Sequence, residues 1–155
     1  MKKYILVFFM VLILGLISSI HPVYALNDTA SSSIVMDISS GRILYEKNSH
    51  SQRLIASTTK IMTCILAIEN GNLDDTVQVG EEVLKMYGSN IYLELGEKMT
   101  LKDLLYGMML RSGNDAATVI ATYIGKDQET FVEMMNQKAK EIGMQDTIFR
   151  NPTGL

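Results

Sequence analysis

Four stretches of this chain carry apolar residues at helical spacing, and a glycine stands at or just beyond the end of each. The first runs from about Ser57 to Glu69, with Ile61, Ile65 and Ile68 in one row and Met62 and Leu66 on its flanks, and Asn70-Gly71 ends it. The second opens on Thr100 as an N-cap with Asp103 at the third helical position. It presents Leu101, Leu104, Leu105 and Met108, and stops near Arg111 at the break Ser112-Gly113-Asn114. The third spans Asp115 to about Ile124 and is closed by Gly125. The fourth, Gln128 to Ile142, aligns Phe131, Met134, Met135, Ala139 and Ile142 before Gly143. Glycine supplies the left-handed or open conformation that ends a helix, and a hydroxyl followed by an acid three residues on starts one. A chain punctuated in this way carries several short helices, each with an apolar face to bury.

Strand signals are fewer and shorter. Ser33 to Asp37 and Arg42 to Tyr45 are apolar or β-branched, and Ile38-Ser39-Ser40-Gly41 between them supplies turn chemistry, so the pair reads as a β-hairpin. Thr76 to Val79 reads as a short strand, Glu81 to Met86 as one or two helical turns, and Ile91 to Leu95 as a weak alternation before a Gly96-Glu97 turn. Thr147 to Phe149 offers a further short strand. The fold class expected is α/β of the α+β type.

Lys2 and Lys3 precede an uncharged stretch from Tyr4 to Ile20, and Val23-Tyr24-Ala25 places small residues where a signal peptidase cuts. Residues 1–25 therefore read as an export signal, with an uncleaved anchor as the rival reading. Residues 26–32 read as a polar linker and 33–155 as the folded part. That leaves about 130 mature residues, enough for one core. Cleavage would take two lysines and no acid from a net charge of −3, leaving −5. Such a surface offers nothing to nucleic acid. Cys64, the sole cysteine, excludes an intrachain disulfide and reads as a small buried thiol. His21 and His50 stand apart from each other and from any acidic cluster, so no metal site is expected.

Chemistry enters at Ser57-Thr58-Thr59-Lys60. A hydroxyl and an amine three residues apart on a helix share one face, one turn from each other. A lysine so placed can take the proton of the serine and make it a nucleophile without any histidine. Alone the spacing is weak, since roughly one such pair arises by chance in a chain of this length. Ser112-Gly113-Asn114 is weak too: glycine ending one helix and Asn114 or Asp115 capping the next is ordinary helix-break chemistry.

Together these two segments resemble the penicillin-recognising serine peptidases, whose set is S-x-x-K, S-x-N and K-T-G. The words around them are similar to those of the low-molecular-mass D-alanyl-D-alanine carboxypeptidases. The matching stretches are Ile55 to Thr63, Asp103 to Gly107, Ser112 to Ala117, Phe149 to Leu155, and Met36 to Tyr45 in the hairpin. The resemblance spans the mature chain in order.

It implies a penicillin-binding transpeptidase or β-lactamase-like fold, mostly an antiparallel sheet flanked by helices. Ser57 would be the acylated nucleophile and Lys60 the general base. Ser112 would relay a proton, and Asn114 would bind the substrate amide or hold Lys60. The reaction implied is removal of the terminal D-alanine from peptidoglycan stem peptides outside the cytoplasm, through an acyl-enzyme. β-Lactams would act as covalent inhibitors, and no cofactor would be needed. The third element does not occur: the sequence holds neither Lys-Thr-Gly nor Lys-Ser-Gly. The expectation is therefore the N-terminal part of such a peptidase, weakly active as it stands. Its hairpin would lack sheet neighbours, and a membrane contact would come only through a C-terminal region beyond the motifs. A non-catalytic module sensing cell-wall peptides and a β-lactamase or esterase on the same scaffold are the alternatives.

Overall fold

The structure, a computed structural model, describes Lys3 and residues 27–155. Lys3 apart, the export signal expected at 1–25 lies outside the described residues. Two compact units divide the chain between Ser51 and Gln52.

The first unit is the expected hairpin. Strands β1 (Ser33–Met36) and β2 (Ile43–Lys47) pair antiparallel, with an irregularity in the register between Val35 and Met36. Asp37 shapes the turn: its carboxylate accepts from the Ser40 backbone N–H at 2.7 Å and the Ser39 hydroxyl at 2.8 Å. The linker expected at 26–32 is bound to the hairpin from Asp28 on. The Asp28 carboxylate accepts from the Ser33 hydroxyl and from Ala30 N–H, and Lys47 Nζ donates to the Asp28 carbonyl at 2.8 Å. Polar contacts hold this unit, while Ile34, Val35, Met36, Ile38, Ile43 and Leu44 are all exposed.

The second unit is helical. A 3-10 turn at Ala56–Thr59 leads into α1 (Lys60–Asn70). The second ladder, β3 (Thr76–Gln78) with β4 (Lys98–Thr100), brackets a 3-10 turn at Glu81–Lys85 and a long loop. Helices α2 (Leu101–Arg111), α3 (Asn114–Gly125) and α4 (Gln128–Glu141) follow. α3 is the central element, in contact with α1, α2 and α4. Its small residues Ala116, Ala117 and Ala121 are fully buried and let its neighbours approach closely. Around it lie two apolar clusters. One is built on Leu101, Leu104, Met108, Val119 and Ile120, the other on Met62, Leu66, Phe131, Met135 and Phe149. Gly125 lets α4 return against α3, since a Cβ there would lie 2.7 Å from the Phe131 nitrogen.

The four helices expected are all present, although the left-handed caps of α2 and α3 fall on Ser112 and Lys126 rather than on glycine, and the α-helix after Ser57 begins at Lys60. Asp103 N–H donates to Thr100 Oγ1 at 3.1 Å, the capping arrangement expected, and Asp127 caps α4 by accepting from Thr130 N–H at 2.7 Å. Four expectations fail. The Ile61–Ile65–Ile68 row of α1 does not face the core: Ile61 and Ile68 are about half exposed, and Met62, Thr63, Leu66 and Ala67 are buried instead. Ile91 to Leu95 forms no strand, because the N–H groups of Ile91 and Leu93 go to the Asp115 carboxylate rather than to a ladder. Thr147 to Phe149 is irregular, held by Asn136, which donates to the Phe149 carbonyl at 2.9 Å and accepts from its N–H at 2.8 Å. Cys64 is half-buried rather than enclosed. Among the described residues no helix is long and apolar enough to cross a membrane.

Candidate active site

The site lies wholly within the helical unit, where the N-termini of α1 and α3 meet the chain end at 149–155. Ser57 stands in the 3-10 turn, one residue after Ala56, whose φ of 46° is left-handed. A non-glycine residue held there is strained, and the turn sets Ser57 at the exposed head of the helix. Lys60 is the first residue of α1 and only 2% exposed. The nucleophile candidate is open to solvent and the base candidate lies directly beneath it.

α2 ends with Ser112 in the left-handed region at φ 56°, and α3 begins at Asn114, so the break between the helices is only two residues long. This sharp reversal swings the Ser112 hydroxyl to 2.9 Å from Ser57 Oγ. Lys60 Nζ lies 3.1 Å from Ser57 Oγ and 3.3 Å from Ser112 Oγ, closing a triangle of two hydroxyls and an amine. Lys60 Nζ also donates to Asn114 Oδ1 at 2.7 Å. The Asn114 amide is oriented by its other end, which donates to the Tyr87 carbonyl at 2.8 Å. All four residues singled out from the sequence meet at one point.

The electrostatics follow from burial. Loss of water around Lys60 pushes its amine below the ordinary lysine value of 10.5, and no charged neighbour among the described residues opposes that shift. A neutral amine next to a hydroxyl is what proton abstraction from serine requires. Among the described residues no cluster of three or more His, Cys, Asp or Glu side chains could hold a metal ion.

A family model described as D-alanyl-D-alanine carboxypeptidase matches residues 21–155. The chain belongs to that family. It is 44% identical over 131 residues to the D-alanyl-D-alanine carboxypeptidase DacF of Bacillus subtilis, covering 81% of this chain and 34% of the relative. To DacD of Escherichia coli it is 38% identical over 137 residues, covering 81% and 35%. Among solved structures, the carboxypeptidase DacD of Francisella tularensis superposes with a TM-score of 0.81 at 40% identity, over 88% of this chain and 34% of that one. Penicillin-binding protein 5 of Haemophilus influenzae gives 0.78 at 31% identity, over 86% and 41%. The fold is that of the penicillin-binding peptidases, and this carboxypeptidase-family chain spans about a third of the length of the curated relatives it matches.

Sequence reasoning missed two parts of the site. The first is the Thr153 carbonyl, which accepts from Lys60 Nζ at 3.2 Å. A main-chain oxygen has no residue signature, although the Asn-Pro-Thr-Gly-Leu segment that carries it was singled out. The second is Asp115, 3% exposed, whose carboxylate accepts from Ile91, Leu93 and Ala116 N–H groups. It ties the 87–93 loop to the start of α3, and Asn114 N–H joins it by donating to the Ser89 carbonyl at 2.8 Å. An acid after Ser-Gly-Asn reads as a helix-capping residue, which conceals this role.

Proposed function

We propose that this chain supplies the nucleophile and base of an exported serine D-alanyl-D-alanine carboxypeptidase, acting on peptidoglycan stem peptides at the outer face of the cytoplasmic membrane. The observation that carries the proposal is the burial of Lys60 at hydrogen-bond distance from both Ser57 and Ser112. Ser57 Oγ attacks the carbonyl carbon of the penultimate D-alanine while its proton passes to the neutral Lys60 amine, directly or through Ser112. Backbone N–H groups at the helix start favour the charge that develops on the carbonyl oxygen. The C–N bond then breaks, and the proton returns by the same hydroxyl–amine path to the departing D-alanine nitrogen. Water then attacks the Ser57 ester, losing a proton to the same amine; the C–O bond to Ser57 breaks, the shortened peptide leaves as the carboxylic acid, and the Lys60 ammonium returns the proton to Ser57 Oγ. A β-lactam carbonyl enters the same first step, but its amine stays tethered to the acyl group.

Acylation rises with pH as the Lys60 ammonium gives up its proton and levels off above its pKa, which burial lowers from the ordinary lysine value. Intact-mass measurement after penicillin treatment tests this. A single penicilloyl adduct on the full chain, absent from Ser57→Ala and slowed about 10²- to 10⁴-fold in Lys60→Ala, is expected. An adduct that persists in Ser57→Ala overturns the assignment.

A further inference from the structure

Lys60 Nζ has four oxygen neighbours, and they differ in kind. The Ser57 and Ser112 hydroxyls can donate or accept, whereas Asn114 Oδ1 at 2.7 Å and the Thr153 carbonyl at 3.2 Å can only accept. A neutral amine has two hydrogens and one lone pair. With both hydrogens committed to the two obligate acceptors, the lone pair faces the hydroxyls. The direction of proton transfer therefore depends on the Thr153 carbonyl staying where it is.

That carbonyl belongs to a turn shaped by one side chain. Asn151 Oδ1 accepts three hydrogen bonds, from Thr153 N–H at 3.1 Å, Thr153 Oγ1 at 3.1 Å and Gly154 N–H at 2.6 Å. The turn is docked from two sides. Thr63, one helical turn beyond Lys60, donates to the Pro152 carbonyl at 2.8 Å, so α1 takes two consecutive carbonyls with two side chains of one face. Gly154, at φ 85°, passes so close to the Ala56 carbonyl that a Cβ would lie 1.9 Å from its oxygen. The same turn thus abuts the strained residue that presents Ser57.

We infer that Asn151 is a positioning residue for the Ser57–Lys60 reaction: by fixing the Thr153 carbonyl on Lys60 it aims the amine lone pair at the serine hydroxyls. The inference deepens the function proposed above and rests on it. Among the described residues no charged side chain competes for Lys60. Its contacts from the 3-10 turn, the α2–α3 break and the 149–155 segment are two hydroxyls, an amide and a carbonyl. Asp115 turns its carboxylate to backbone N–H groups, and Arg111 and Arg150 are exposed.

Asn151→Ala and Asn151→Asp, in the full chain, separate positioning from folding: both lose the bond that the Asn151 amide donates to the Leu155 carbonyl at 2.6 Å, but only the carboxylate can still accept the other three. Penicillin acylation is followed by intact mass from about pH 5 to 10. The Lys60 side-chain NMR signal, identified by its loss in Lys60→Arg, is titrated alongside. Asn151→Ala is expected to lower the plateau acylation rate about tenfold or more, as a misplaced catalytic group does, and to shift the Lys60 titration to lower pH with the loss of an acceptor that favours the ammonium. Asn151→Asp is expected to keep the plateau within about threefold of the parent while its added charge moves the Lys60 titration to higher pH. Equal loss of rate in both variants, or a Lys60 titration unmoved in both, overturns the inference. Should the parent chain take no adduct, the proposed function falls, and the Lys60 titration alone then decides whether Asn151 acts on that amine.

Discussion

The hairpin and the helical unit carry apolar residues in similar abundance and use them in opposite ways. In the helical unit Phe131, Met135, Leu104, Met108 and Ile120 are completely buried around α3, and the site sits on that base. In the hairpin Ile38 is 96% exposed, and the strands' other apolar side chains lie about half in water. What holds the hairpin is its ladder and the acceptors Asp28 and Asp37. Burial of apolar surface contributes about 25 cal/mol per Å² and tolerates no water, whereas an exposed hydrogen bond competes with water for about 1 kcal/mol or less. Stability is therefore concentrated in the unit that holds Lys60.

The widest separation between the two units is expected from truncating one apolar side chain in each. Phe131→Ala removes a fully enclosed ring between α3 and α4 and should destabilise the chain by about 3–5 kcal/mol. Ile38→Ala, at the exposed hairpin turn, should stay within about 0.5 kcal/mol. Urea unfolding followed by circular dichroism measures both. Similar losses in the two variants would show that the hairpin shares the core's cooperativity.

A smaller effect tests whether local hydrogen bonds matter once packing is strong. Thr100 is exposed to neither fate alone: its hydroxyl caps α2, and its backbone belongs to β4. Thr100→Ala leaves the Asp103 N–H without its side-chain acceptor and should cost about 1 kcal/mol by the same unfolding measurement. Thr100→Ser, which keeps the oxygen, should recover most of it. No recovery in the serine variant would assign the loss to the strand instead.

The contrast also explains what could be read in advance. Ser57 and Lys60 are three residues apart, so their meeting is a property of one helical turn and needs no tertiary knowledge. Ser112 and Asn114 were legible through the resemblance their wording carries, since nothing local dictates that the α2–α3 break lies over α1. The α1 face was misjudged for a physical reason. That helix has apolar residues on several sides, so periodicity does not choose among them. The face that is buried includes Lys60 and Thr63, whose polar atoms find partners in Asn114, Thr153 and Pro152. A buried lysine reads as a surface residue until its acceptors are known, and one of those acceptors, on Thr153, is a main-chain carbonyl. β4 escaped for the opposite reason, because Lys98-Met99-Thr100 offers one apolar residue and is a strand only through its pairing with β3.

The smallest expected effect lies in the hairpin turn and is set by pH. Ser40 and Ser39 donate to the Asp37 carboxylate and hold its pKa down, from the ordinary 3.8 to about 2. A carboxyl whose folded pKa is depressed contributes stability that is fully present above the unfolded value and fades as pH falls through the folded one. The hairpin turn should therefore keep its backbone geometry down to about pH 4 and loosen between there and about pH 2. The amide signals of Ser40 and Gly41 report this directly, as the first is bonded to the carboxylate and the second to the Asp37 carbonyl. Lys60 has no carboxylate among its hydrogen-bond partners, which are two hydroxyls, an amide and a carbonyl, so no acid group that it contacts titrates in that window. Titrating both sets of NMR signals in one sample from about pH 6 to 2 should thus move the hairpin turn and leave the signals around Lys60 in place. Coincident movement at both places would mean that acid opens the helical unit as well, and that its packed core gives the site no more protection than the exposed hairpin has.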